Sequence, residues 1–364
     1  MYRVYSLRTT TGEVGSAFDP TSATWSVELN KIEDFSITVK KAELLRRDRA
    51  WWHPWSGGVL ITHTGEDEYE HPVVAGPIHD YGTETLTELT LSCAGIRKIF
   101  ERRVIDKNIR FEGATYGEMM WGLVQAGMDG KPAGTLPIVR GTPYESGDWE
   151  MTYYGWNLAN NSVDKLLTEH SEIIGGPDVM FRPRWVEGKY RRQIEWVMCW
   201  GTKRNPLIPQ TRTPDFDTTA AQSEVATVSL TSSARNLRHK VWYTGSGEGE
   251  GIVRVSAQDL TGVEDGQPFL EQVFSESDID NADLLQRRAA GALAVSSQMV
   301  DQLTMGVSTT SQKNPIGSFF VGDMATVTLK DWINIPDGTR QMVIIKMNGS
   351  LESTVTLDFQ EGTW

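Results

Sequence analysis

The sequence predicts a mainly β protein of the α+β class, in which two related β-barrel domains are interrupted by small α/β insertions. Near both ends of the chain, apolar and polar residues alternate with period two, as they do in strands with one buried face. Helical spacing is confined to a few short stretches in between. The length of 364 residues exceeds what one hydrophobic core supports, and it predicts about two to four domains.

The first alternating pattern runs from residue 58 to residue 95. It predicts strands at residues 59–61 and 73–78, and a last strand on which Leu89, Leu91 and Cys93 alternate with polar residues. Two further strands are predicted before it, one centred on Val27 and one on Ile37. Together these strands predict a first barrel.

A similar pattern runs from residue 322 to residue 362. Predicted strands cover residues 325–329 and 342–347, a turn is predicted at Asn348 and Gly349, and a last strand alternates through Leu357. Two similar meanders in one chain predict two related barrels. Such an architecture is suited to building rings rather than a catalytic cleft.

The middle of the chain changes character. Thr115, with Glu118 three residues later, predicts a capping box, followed by a helix that ends at Gly130. A second helix is predicted from Asn161 or Ser162, and a third near residues 277–278. We therefore divide the chain into a first barrel (1–105), a middle α+β domain (106–215), a second barrel (216–260 and 302–364) and a helical insertion (261–301).

Composition and charge exclude several classes of protein. The chain carries 35 basic and 48 acidic side chains, and its net charge of −13 argues against wrapping or reading nucleic acid, although an acidic channel wall would let DNA slide past. A simpler reason for this charge is solubility. No run of about 18 apolar residues occurs, so no transmembrane helix is expected. The two cysteines, Cys93 and Cys199, are expected to be reduced and buried.

No motif supports a catalytic or cofactor site. The glycine-rich segment 245–251 lacks the spacing and the lysine of a phosphate loop, and it predicts a mobile hairpin tip. Histidines 53, 63, 71 and 79 are too widely spaced for a zinc site, so no metal is expected. Since no serine elbow or His-Glu-x-x-His helix occurs, we predict no enzymatic activity and no cofactor.

Two groups of side chains are candidates for contacts. The acidic loop of Glu66, Asp67, Glu68 and Glu70 has two interpretations: it is either a solvated tip or a surface that faces a channel.

Three tryptophans, Trp51, Trp52 and Trp55, form an exposed-looking cluster. Because aromatic residues concentrate at interface cores, we interpret the cluster as an intersubunit contact. The alternative is a groove that binds carbohydrate, with carboxylates nearby.

Short segments of the chain resemble the siphophage tail-hub family, often described as minor tail proteins in phages of actinobacteria. Its N-terminal barrel is similar to WSVELN (25–30), FSITV (35–39), GGVLI (57–61), VAGPI (74–78) and LTLSC (89–93). Its middle domain is similar to GGPDVMFRPR (175–184), and its second barrel to VGD (321–323), IPDGTR (335–340) and VII (343–345).

The resemblance implies a baseplate hub in the virion, at the tail tip, assembled in the host cytoplasm. Three copies would supply six barrels in a pseudo-six-fold ring below the tail tube or distal tail protein. Tail-tip or receptor-binding proteins would lie beneath, and the bore would pass the tape-measure protein and then DNA. Because the sequence stops at Trp364, any lysin is expected on another chain. Two alternatives remain: a tail protein that binds or degrades cell-surface carbohydrate, and a hub of a cellular secretion-system spike.

Overall fold

The computed structural model describes residues 1–65, 68–173, 175–220, 223–297 and 299–361. The first strands are β1 Tyr2–Arg8, β2 Val14–Phe18, β3 Ser22–Glu28, β4 Asp34–Lys40, β5 Gly57–Thr64, β6 Glu70–Glu84, β7 Glu88–Ala94, β8 Ile109–Ala114, β9 Ile138–Arg140, β10 Trp149–Tyr153, β11 Val179–Trp185 and β12 Ile194–Trp200. The remaining strands are β13 Asp215–Asp217, β14 Val225–Ser233, β15 Lys240–Thr244, β16 Arg254–Gln258, β17 Glu271–Ser275, β18 Val300–Ser308, β19 Met324–Leu329, β20 Gly338–Ser350 and β21 Thr354–Glu361. The α-helices are α1 Lys41–Leu44, α2 Tyr116–Met128, α3 Val163–Ser171, α4 Thr261–Glu264 and α5 Ala282–Ala294. Short 3-10 helices cover Arg49–Trp51, Ile96–Arg102, Leu158–Asn160 and Gly249–Gly251.

A 13-stranded sheet dominates the molecule, which confirms the mainly β prediction. Its strand order is β14-β18-β21-β20-β3-β4-β7-β6-β5-β1-β2, with β19 also pairing with β20 and with β13. The strands at the two ends of this path do not pair with each other in the described ranges, so the sheet is open and the expectation of two closed barrels is wrong. Alternation reveals which face of a strand is buried, but it does not reveal whether the first and last strands of a meander meet.

The two predicted meanders exist, and they are joined edge to edge. Strand β3 pairs antiparallel with β20, so that Trp25 lies opposite Gly349 and Glu28 lies opposite Lys346. The Trp25 indole also donates a 3.3 Å hydrogen bond to the carbonyl of Ser350. We name this pairing the β3–β20 seam. Through it, the two ends of the chain contribute to one continuous sheet.

The predicted turn at Asn348 and Gly349 is wrong. Strand β20 continues to Ser350, and Asn348 still pairs with Thr356 of β21, so the chain reverses at residues 351–353. Gly349 serves packing instead. A Cβ at this position would lie 2.3 Å from the Trp25 ring, which is well inside van der Waals contact distance.

The middle segment packs two helices on a small sheet. Thr115 caps α2 by accepting a 3.2 Å hydrogen bond from the Glu118 amide, as the sequence predicted. Strand β11 pairs antiparallel with β12, and β12 pairs in parallel with β9. A continuous apolar core buries the inner faces of α2 and α3 together with residues of β11 and β12, Trp196 and Trp200 among them.

The chain divides into two compact units. The larger comprises Met1–Ser171, Pro177–Ser229 and Thr304–Trp364, and the smaller comprises Glu172–Gly176 and Leu230–Leu303. The sequence assigned residues 216–260 to a second barrel and only residues 261–301 to an insertion. In the structure β15 and β16 belong to the smaller unit, because they form a sheet of their own with β17.

The smaller unit is a three-stranded sheet covered by one helix. Strand β15 pairs antiparallel with β16 and in parallel with β17. Helix α5 buries Leu285, Ala289 and Leu293, and packs against β15 and β16. It begins later than predicted, because Asn281 rather than residue 277 or 278 accepts the capping hydrogen bond, from the Leu284 amide. None of the helices in the described ranges has both the length and the hydropathy to span a membrane.

Candidate interaction surfaces

The three tryptophans predicted to contact a neighbouring subunit lie together before β5, and all three are half-buried. Each has an arginine guanidinium over its ring: Arg8 lies 5.2 Å from the centre of Trp51, Arg49 lies 5.9 Å from that of Trp52, and Arg102 lies 5.1 Å from that of Trp55. Such cation–π contacts stabilise the local structure. They also cover part of the aromatic area that a sugar ring would need.

The acidic loop is described only in part. Glu66 and Asp67 lie outside the described residues. Glu68 is exposed and has a positive φ of 58°, so its position in a tight turn leaves the carboxylate at the surface. Of the acidic loop residues that the structure describes, Glu68 presents its carboxylate at the surface.

Glu70 differs from the prediction, since it is fully buried and belongs to β6 rather than to a loop. Its carboxylate accepts a 2.5 Å hydrogen bond from the Thr62 hydroxyl and forms a 2.7 Å ion pair with Arg191. Arg3 lies further away, at 3.7 Å. A buried carboxylate is stable only when it is paired in this way. Glu70 thus ties β6 to the β11–β12 hairpin, and its carboxylate is buried within this chain.

An apolar surface that the sequence analysis missed follows β10. It consists of Tyr154, Trp156 and Leu158, whose side chains are 52%, 78% and 50% exposed. The rings of Tyr154 and Trp156 stack with their centres 6.2 Å apart. We name these three residues the exposed aromatic surface. Its only sequence signal is a run of aromatic residues without strand or helix periodicity.

The backbone beneath the exposed aromatic surface is held firmly. The Gly155 amide donates a 2.9 Å hydrogen bond to Asn108 Oδ1, and Asn161 Nδ2 donates one of 2.8 Å to the Tyr154 carbonyl. A second bond from Asn161 Nδ2 reaches the Ile105 carbonyl at 3.0 Å. The two rings are thus presented on an ordered backbone, which lowers the entropy lost when a partner binds. Large exposed apolar side chains on a fixed backbone are typical of a protein–protein contact.

The four histidines considered as metal ligands do not form one cluster, although His63 and His71 lie opposite each other on β5 and β6. His63 is buried and contacts the N-terminal amine at 3.1 Å, His71 packs edge-on to Tyr69, and His53 is exposed. Among the described residues there is no group of three or more His, Cys, Asp or Glu side chains placed to hold a metal ion. Burial raises the pKa of both the Cys93 and the Cys199 thiols, so both are protonated at neutral pH.

A network of polar side chains joins β11 to other parts of the larger unit. Arg182 Nη2 donates 2.9 Å hydrogen bonds to Asp323 Oδ1 and to the Val321 carbonyl. Asn30, in the turn after β3, binds Asp178 just before β11. The middle segment is thereby held to both meanders by charged and polar contacts.

Comparisons with known proteins identify the fold. No protein-family model and no curated protein sequence matches the chain. Among solved structures, the tail protein from Neisseria meningitidis MC58 is 17% identical with a TM-score of 0.58, and the match covers 99% of this chain and 96% of that one. The 43 kDa tail protein of prophage MuSo2 from Shewanella oneidensis is 12% identical with a TM-score of 0.56, over 98% of each chain. Prophage tail protein gp18 from Listeria monocytogenes EGD-e is 10% identical with a TM-score of 0.51, over 99% of this chain and 94% of that one.

Proposed function

We propose that this protein is a structural component of a phage tail and acts as the hub at the tail tip. The observation that carries the proposal is that the fold matches three tail proteins over at least 98% of this chain. A match along the whole chain is stronger support than a match to one domain, since function depends on sites and surfaces and not on the fold class alone. The role is structural and non-enzymatic.

In the finer form of the proposal, three copies form a ring with pseudo-six-fold symmetry. The two meanders are joined at the β3–β20 seam, and in this proposal each copy contributes them to the ring as two related strand sets. The ring lies below the tail tube or distal tail protein and above the tail-tip or receptor-binding proteins. Its bore passes the tape-measure protein and then DNA, and the net charge of −13 keeps the DNA from binding to the wall. The resemblance of its sequence to hubs of actinobacterial siphophages makes such a phage the proposed source.

Immunogold electron microscopy of the virion that encodes this chain tests the location. We expect label only at the tail end distal to the capsid, and labelling along the tail or on the capsid would contradict the hub assignment. An antibody against the exposed segment 247–251 is suitable, because these residues lie at the surface in the link between β15 and β16.

Symmetry is tested on the assembled tail tip by cryo-electron microscopy. We expect three copies around an axial hole, with Trp51, Trp52 and Trp55 close to a neighbouring copy and Glu68 towards the bore. A monomer in dilute solution would not contradict the three-copy ring, because a hub that forms its ring only during tail assembly is monomeric beforehand. A tail tip with one copy per virion, or without an axial passage, would contradict the ring.

Carbohydrate binding is the second candidate, and the exposed rings of Tyr154 and Trp156 favour it, because sugars stack on aromatic faces. The groove expected at Trp51, Trp52 and Trp55 is less suitable, since arginines lie over those rings. Titration with host cell-wall polysaccharide separates the candidates: tryptophan fluorescence that changes in the native chain but not in Trp156→Ala would support sugar binding.

The third candidate is a hub of a secretion-system spike. Neighbouring genes that encode a capsid would favour the phage tail over this candidate.

A further inference from the structure

A buried histidine of helix α3 takes part in none of the surfaces described above. His170 is only 3% exposed and lies in the last turn of α3, on its buried face. Its Nε2 shares a hydrogen bond with the hydroxyl of Tyr153, the last residue of β10. The ring centres of Tyr153 and Tyr116 lie 6.1 Å and 5.5 Å from that of the imidazole. The imidazole is therefore enclosed between α3, β10 and α2.

The second ring nitrogen of His170, Nδ1, has no hydrogen-bond partner among the described residues. In a neutral imidazole one nitrogen donates and the other accepts, so Nδ1 can remain a bare acceptor while Nε2–H donates to Tyr153. Protonation turns both nitrogens into donors and adds a positive charge. A buried, charged donor without an acceptor is costly, and burial accordingly lowers the pKa of His170 to about 4.

The titratable groups around the imidazole do not compensate for this cost. Burial raises the pKa of Tyr153 above its usual value, so the phenol stays protonated at neutral pH and below. Tyr116 and Glu169 act in the same direction on Tyr153, and the Glu169 carboxylate pairs with Lys165 at 3.8 Å. The C-terminal end of a helix favours a positive charge, but at His170 burial outweighs this effect.

The strand that binds His170 belongs to a part of the fold with little support of its own. Strands β8 and β10 form a separate two-stranded sheet, which we name the β8–β10 ribbon. Such a ribbon is marginally stable in water unless it packs on another element. This one packs on two helices: the Phe111 ring of β8 lies against Gly122 of α2, and Tyr153 of β10 binds His170 of α3. Opening of the ribbon therefore costs less free energy than unfolding of the core.

We propose that the β8–β10 ribbon is an acid-sensitive flap, which protonation of His170 releases from helices α2 and α3. In the closed form the imidazole is neutral and shielded from water. In the open form water hydrates both ring nitrogens, so the imidazole binds a proton with its ordinary affinity. Tyr154 directly follows Tyr153, and release of the ribbon therefore also loosens the exposed aromatic surface.

Hydrogen exchange of the full chain at pH 7.5 and pH 5.0 tests the proposal. The closed form has its full stability above pH 6.5, the usual pKa of a histidine, and loses stability as the pH falls towards 4. The open fraction at pH 5.0 should exceed that at pH 7.5 roughly 30-fold. After correction for the intrinsic exchange rate at each pH, the protection of the β8 and β10 amides should fall by this factor. The protection of the β12 amides should not fall.

The native chain alone can overturn the proposal. Protection of the ribbon that is the same at both pH values would do so. An equal fall in β12 would also do so, because it would show that the larger unit opens as a whole.

Two matched substitutions assign the effect to one histidine. His170→Gln keeps a polar side chain in reach of Tyr153 but cannot take up a proton, so the pH dependence of ribbon protection should disappear. His53→Gln, at an exposed histidine, should behave like the native chain. A ribbon that still loses protection on acidification in His170→Gln would show that another group triggers the opening.

Discussion

Asn30 and Asp178 are joined by a 2.7 Å hydrogen bond from Asn30 Nδ2 to Asp178 Oδ1. The other side-chain atom of Asn30, Oδ1, accepts a 2.8 Å bond from the Val179 amide. Arg97 Nη1 donates a further bond of 2.6 Å to the Asn30 carbonyl. One asparagine, in a left-handed conformation with a φ of 62°, therefore fixes the turn after β3 to the start of β11.

Substitution of Asn30 should destabilise the larger unit in two separable ways. Asn30→Ala loses both side-chain hydrogen bonds and also strains the backbone, and we expect a loss of about 2–4 kcal/mol in the free energy of unfolding. Asn30→Gly loses the same bonds without the strain and should be about 1 kcal/mol more stable than the alanine variant. Urea unfolding followed by tryptophan fluorescence measures both. Equal stability of the two variants would show that the backbone carries no strain.

Glu33 should make stability depend on pH. Burial raises the pKa of its carboxyl to about 7, against the opposing effects of its own backbone amide and Arg97. Because the folded state binds the proton more tightly than the unfolded state, stability is greatest below pH 4.5 for this group and falls as the pH rises to about 7. The total effect is on the order of 3 kcal/mol.

Glu33→Gln provides the control for that effect, since it cannot ionise. Relative to the native protein, it should gain stability as the pH is raised from 5 to 8. Urea unfolding at several pH values measures the difference between the two curves. Parallel curves for the native protein and Glu33→Gln would show that Glu33 titrates normally.

The β3–β20 seam should be sensitive to the size of residue 349. Gly349→Ala places a methyl group against the Trp25 ring, and we expect a loss of about 1–3 kcal/mol as the ring moves away. The matched control is Gly251→Ala, where an added Cβ meets nothing within 4 Å. Thermal unfolding should show a clear drop in Tm for the first variant and little change for the second. Equal Tm values would mean that the seam adapts to the methyl group.

Trp156 should matter for assembly and not for folding. Because its side chain is 78% exposed, Trp156→Ala should leave the Tm of the isolated chain almost unchanged. If the exposed aromatic surface is an interface with one of the proposed tail proteins, the same change should raise the Kd for that tail protein about tenfold or more. Leu86→Ala, at a residue that is 97% exposed, is the control for loss of exposed apolar area alone. Equal Kd values for both variants would exclude this surface as an interface.

Local features of the fold were predictable from the sequence. Leu89 and Leu91 alternate with polar residues and are buried, as are Val355 and Leu357 in the second meander, because a strand with one buried face leaves its period in the sequence. The Thr115 cap was also predictable, since a capping box involves residues only three positions apart.

Features that depend on distant residues were not predictable. The burial of Glu70 could not be predicted from the acidic residues around it, because its main ionic partner, Arg191, is far away in sequence. Gly349 indicated a turn, while the structure uses it to accommodate Trp25. The exposed aromatic surface was missed because exposure of Trp156 follows from tertiary packing and has no period.

The pairing of Trp25 with the chain around Ser350 has a consequence for synthesis. These two residues are 325 positions apart. At translation speeds of about 5–20 residues per second, the N-terminal meander waits roughly 15–65 s for its partner to leave the ribosome. Throughout that interval one side of β3 offers unpaired amides and carbonyls to other nascent chains. Slow translation late in the message would prolong this exposure and should increase aggregation of unfinished polypeptides.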